Sequence, residues 1–234
     1  MLWDCYKLYS LAHLAHYLPG RIWSYLSFAY LGKFLGIETA QLLAALYLGF
    51  AASLLSGAVF SVFALPLVES ISHPYLVLVM ALALLLVLFY PPVFHSIIRV
   101  FAKIARSRLS RLPQPFGFKA INLASLSYGV SWLLNSAGVV LLVASLHPLS
   151  LEQVLFTFSV FPLGYLVGYL AFFTAGGLGV REGVMLAILS GFLPMYVAVV
   201  VPIAARLLAM SFEGIWFLVA LKMPWRNRVK AGGK

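Results

Sequence analysis

Apolar runs long enough to cross a bilayer recur along the chain, separated by short polar, basic or glycine-rich breaks. Thr39 to Leu65 is the first clear run, with Gly49, Ser53, Ser56 and Gly57 as small surfaces for close helix packing. Tyr75 to Phe94 is the second, nearly pure Leu, Val and Ala. Ala120 to Leu146 is the third, and its polar positions Asn122, Ser125, Tyr128, Asn135 and Ser136 predict a side turned towards the bundle. Gln153 to Phe173 is the fourth, with a kink expected at Pro162. Residues 194–221 form a last long helix containing Pro202, Arg206 and Glu213. The pattern predicts an all-α integral membrane protein, a multi-pass helical bundle in one domain over residues 1–234.

Two stretches break this pattern. Residues 1–36 are mixed and aromatic, interrupted at Leu18-Pro19-Gly20-Arg21-Ile22-Trp23. Between the fourth and last helices stands Ala175-Gly176-Gly177-Leu178-Gly179-Val180-Arg181-Glu182-Gly183, four glycines in nine residues. Glycine frees the backbone and destabilises a helix. In hydrocarbon, broken backbone survives only inside protein or against a water-filled cavity. An arginine at the centre of a membrane helix costs on the order of 2.5–3.5 kcal/mol on insertion scales, so it normally has a partner and a task. The glycine segment with Arg181 and Glu182 is therefore the core of an expected embedded site.

Composition agrees: 63% of residues are hydrophobic, 9% are charged and the mean hydropathy is +1.02. The net charge of +10 falls into clusters beside the apolar runs, which reads as topology and headgroup contact rather than nucleic-acid binding. Arg99, Lys103, Arg106, Arg108, Arg111 and Lys119 make residues 99–119 an expected cytoplasmic loop between half 1 (about 1–98) and half 2 (about 120–223). The basic tail after Lys222 is expected on the same side. Parity then requires residues 174–193 to return the chain outward as a discontinuous crossing; a re-entrant loop is the competitor. The lone Cys5 excludes an internal disulfide.

The two broken stretches match at an offset of about 158 residues. Tyr17-Leu-Pro-Gly-Arg-Ile-Trp leads to Phe34-Leu35-Gly36 and a long helix; Thr174-Ala-Gly-Gly-Leu-Gly-Val leads to Phe192-Leu193-Pro194 and a long helix. The two following helices are expected to run in opposite directions, as in an inverted-topology repeat with a site between the halves. The first half has fewer preceding spans than the second, which predicts missing N-terminal helices, with a first half that has lost two helices as the alternative.

The Tyr17–Trp23 segment, the Ala175–Gly183 segment and Ala205-Arg206-Leu207-Leu208 resemble the lysylphosphatidylglycerol synthase transmembrane family, over nearly the whole chain. The resemblance implies a flippase-like fold in the cell membrane and translocation of a phospholipid or lipid-linked headgroup between leaflets. The expected partners are membrane lipids, an anionic phospholipid or a polyprenyl-phosphate-linked lipid, with a second copy or a glycosyltransferase as protein partner. The aminoacyl-transferase domain of larger members has no counterpart here, so aminoacylation does not carry over.

The expected substrate-binding residues are Gly176, Gly177, Gly179, Arg181, Glu182, Arg206, Glu213, Pro19, Gly20 and Arg21. Arginine suits phosphate through its planar fork of donors, and a half-helix N-terminus adds a positive dipole end. Glu182 is expected to balance Arg181, Arg206 to join Arg181 around a phosphate, and Arg206 and Glu213 each to meet the glycine segment. Arg21 reads equally well as an interfacial, snorkelling side chain, and Arg181–Glu182 as a structural pair. His13 and His16 are set aside as metal ligands because no carboxylate or cysteine stands at suitable spacing. No cofactor or nucleotide-binding motif is expected, since Gly177-x-Gly179-x-x-x-Gly183 follows no strand. Two other functions remain open: a headgroup-modifying enzyme using Glu182 as acid or base, and a non-transporting partner of a glycosyltransferase.

Overall fold

The computed structural model describes residues 2–18, 22–62, 91–104, 117–171 and 174–225. Among them every regular element is helical, and the chain is an all-α membrane bundle. α1 (Leu2–His13) runs into a 3₁₀ turn (Leu14–Tyr17). α2 (Ile22–Lys33) and α3 (Thr39–Phe60) follow, then α4 (Pro91–Ile104) and α5 (Phe118–Ala144). α6 (Leu151–Leu170), a second 3₁₀ turn (Ala175–Gly177), α7 (Val180–Leu189) and α8 (Met195–Lys222) complete the order.

Four of these helices, α3, α5, α6 and α8, are long and apolar enough to cross a membrane. α5 and α8 expose rows of large apolar side chains, among them Leu126, Leu134, Leu141, Leu207 and Ile215. On a soluble protein such rows would be a liability; in a bilayer they are the lipid-facing surface. The expected second span lies mostly outside the described residues. Arg99 and Lys103, assigned to a loop from sequence, stand on the helix α4. The polar side expected on α5 is only partly inward. Ser136 and Trp132 are buried, whereas Asn122 and Asn135 are exposed, and Asn135 donates to its own helix at Ser131 O, 2.8 Å away. Neither asparagine joins two helices.

The course of the second half follows from a few contacts. α6 begins with a capping box, Ser150 and Gln153 exchanging backbone and side-chain hydrogen bonds. Gln153 also donates to the Phe192 carbonyl at 3.1 Å, beyond the end of α7. At its other end α6 meets the start of α7, because Gly164 and Gly168 lie directly against Arg181. α7 therefore runs back along α6, and α8 starts where α6 started. Residues 174–193 do return the chain to that side. Their broken start, however, lies against the middle of α8, beside Arg206, so α6, the break and α7 make a hairpin inside the bundle.

The expected repeat has a structural counterpart. Helix, 3₁₀ turn, short helix, turn and long helix occur in that order in 2–60 and again in 151–222. The two 3₁₀ turns contact each other. α1 packs antiparallel to α8: Lys7 bonds the Met223 carbonyl, Tyr6 meets Trp216, and Tyr17 reaches Glu213. Since α8 runs parallel to α6, α1 and its counterpart α6 run in opposite directions. The two repeated units, 2–60 and 151–222, are inverted relative to one another.

Candidate functional site

The glycine segment is shaped by backbone that other residues adopt poorly. Gly176, Gly177 and Gly179 have φ of +58°, +74° and +82°. The sharpest need is at Gly177, where an added Cβ would stand 3.1 Å from the Gly168 carbonyl oxygen. α7 then starts at Val180, and Glu182 reaches back to accept the Gly179 N–H at 2.8 Å. Its remaining oxygen, Oε1, has no hydrogen-bond partner.

Gly164 and Gly168, four residues apart on α6, let α7 approach closely. A Cβ on Gly168 would stand 3.2 Å from Arg181 Cβ; one on Gly164 would stand 2.8 Å from Met185 Cγ. This contact drives Arg181 into the protein, where only 2% of it is exposed. Its guanidinium carbon lies 3.5 Å from the Tyr165 ring centroid and 4.8 Å from that of Phe161. Among the described residues, both terminal nitrogens lack hydrogen-bond partners.

Arg181 and Glu182 do not pair as expected. Successive helical residues point about 100° apart, a consequence of 3.6 residues per turn. Arg181 turns to α6, while Glu182 faces Arg206 across a 3.9 Å gap from Oε1 to Nε. Arg206 is 7% exposed, and its Nε and one terminal nitrogen have no hydrogen-bond partner among the described residues. It stands about 17 Å along a helix about 42 Å long, at 1.5 Å per residue over 28 residues, so it lies deep within the span.

Glu213, two turns beyond Arg206, misses the glycine segment. It accepts the Tyr17 hydroxyl at 2.8 Å and faces His13 and His16 at 3.9 and 4.0 Å. Tyr17 lies outside the four spanning helices. Burial first, then the Glu213 hydrogen bond, push its hydroxyl above a phenol's ordinary range, so it remains a donor. The structure thus supplies the carboxylate that sequence spacing around His13 and His16 did not.

A cavity of about 220 Å³ joins these groups, lined by Arg181, Arg206, Glu213, His16, Tyr165 and Gly176 among others. It gathers both arginines, Glu213 and Gly176 of the glycine break; Glu182, Gly177 and Gly179 are not among its lining residues. Pro19, Gly20 and Arg21 lie outside the described residues. Sequence reasoning missed Tyr165, Tyr17, Gly164 and Gly168. Only the Gly164-x-x-x-Gly168 spacing was a readable signal. Comparisons of the chain with protein-family models, curated proteins and solved structures found no match.

Proposed function

We propose that this protein is a lipid translocase of flippase-like type, moving a phospholipid or lipid-linked headgroup through the cavity between its inverted halves. The observation that carries the reading is the pair of buried arginines, Arg181 and Arg206, whose guanidiniums line one cavity with N–H groups that find no partner among the described residues. Buried donors without partners are costly, and a phosphate or other anionic oxygen group entering the cavity would satisfy them. Arginine presents its donors in a fork that fits such oxygens. The resemblance to the lysylphosphatidylglycerol synthase transmembrane family points the same way.

In this mechanism the headgroup enters the cavity while the acyl tails stay in the bilayer. Arg181, held flat against Tyr165, provides a fixed cation; Arg206, facing Glu182 only across a gap, provides a movable one. Glu182 holds Arg206 when the cavity is empty and releases it to the headgroup. The two halves, meeting at their 3₁₀ turns, alternate access to the two leaflets. α5 begins and α8 ends on one face of the bundle, and in this reading the basic residues of 99–119 and of the tail make that face the cytoplasmic side of a cell membrane.

The test is leaflet exchange of a labelled anionic phospholipid in proteoliposomes. R206E and R181Q are each expected to abolish protein-dependent exchange. Unchanged exchange in both variants would overturn the proposal.

A further inference from the structure

Three side chains below the arginines converge in a way that neither the fold nor the translocation reading requires. The 3₁₀ turn after α1 brings His13 and His16 to one side, since residues three apart eclipse in that geometry. Their rings lie 4.6 Å apart, centroid to centroid. Glu213, from α8, enters between them. One ligand atom from each of the three lies within 4.8 Å of the other two.

The protonation of His16 sharpens the arrangement. Its Nδ1 lies 2.6 Å from the His13 carbonyl oxygen. A carbonyl only accepts, so Nδ1 carries the hydrogen and, in the neutral ring, Nε2 carries the lone pair. That lone pair faces Glu213 Oε2 at 4.0 Å, while His13 Nε2 stands 3.9 Å from Oε1. Both gaps are too long for hydrogen bonds. Imidazole nitrogens and carboxylate oxygens are all electron-pair donors, and a metal ion held between them would bind all three at once. Metal-binding histidines commonly donate their second nitrogen to a backbone carbonyl, which fixes the ring and its tautomer. Glu213 is steadied in the same way by the Tyr17 hydroxyl.

We infer that His13, His16 and Glu213 form a binding site for a divalent transition-metal ion of the zinc class, tying the 3₁₀ turn after α1 to α8. Two imidazoles and a carboxylate are a common zinc donor set, with a fourth position left open. Bond lengths of about 2.0–2.2 Å set tetrahedral donors roughly 3.3–3.6 Å apart, so separations now as wide as 4.8 Å must close by roughly 1–1.5 Å, which rotation of the three side chains supplies. All three residues line the cavity that holds Arg206, so the open position belongs to that cavity. The site stands whether or not a lipid passes through.

The test uses the full chain in detergent, free of any histidine tag, stripped with a chelator and titrated with Co²⁺ and Zn²⁺. One equivalent of Co²⁺ is expected to bind, with the intensified visible absorption of a low-coordinate site, and Zn²⁺ should displace it. H16Q and E213Q are each expected to weaken binding tenfold or more, while H147A leaves it unchanged. Elution profile and melting temperature show whether each variant is folded, and H13Q replaces E213Q if the latter is not. Absence of Co²⁺ uptake, uptake unaffected in folded H16Q, or uptake lost in H147A would overturn the assignment.

Discussion

Arg181 is stacked on Tyr165, guanidinium carbon 3.5 Å from the ring centroid, at the start of α7 where Gly164 and Gly168 let the hairpin close. A buried cation on an aromatic face is attracted by about 2 kcal/mol when desolvated. Tyr165→Phe keeps the ring and is expected to melt within about 0.5 kcal/mol of the wild type in detergent, whereas Tyr165→Leu should cost about 2 kcal/mol. Equal melting of the two variants would show that the stacking contributes nothing.

The glycine break makes a separate prediction. At Gly177 a side chain meets both a φ of +74° and the Gly168 carbonyl at 3.1 Å, while at Gly138 on α5 an added Cβ meets nothing within 4 Å. Gly177→Ala should therefore destabilise by about 1–3 kcal/mol through backbone strain. Gly138→Ala should be neutral or stabilising by up to about 1 kcal/mol, as expected for an open helix interior. Thermal unfolding followed by circular dichroism distinguishes them.

Much of the architecture was legible because its causes are local in sequence. Apolar runs placed α3, α5, α6 and α8 within a few residues of their ends, and Gly176, Gly177 and Gly179 marked the break. The offset between Tyr17 and Thr174 pointed to two inverted halves, whose sense the packing of α1 against α8 now gives. What stayed hidden depends on directions in space. The pairing of Glu182 with Arg206 rather than Arg181 follows from helical phase, which two adjacent letters do not display. Glu213 sits 196 residues from Tyr17, and only the fold brings it to His13 and His16. Asn122 and Asn135 misled in the other direction: a polar side chain on an apolar helix reads as bundle-facing, yet Asn135 satisfies itself on its own backbone and stays at the surface.

In the proposed translocase the two buried arginines form the seat of a lipid headgroup. A density map of the protein in bilayer discs of anionic phospholipid tests it most directly. The expected map holds an ordered headgroup in the cavity, its phosphate oxygens about 3 Å from the guanidinium nitrogens of Arg181 and Arg206, as for charge-assisted hydrogen bonds. A well-resolved cavity holding only water, with every ordered lipid on the outer faces of α5 and α8, would contradict it.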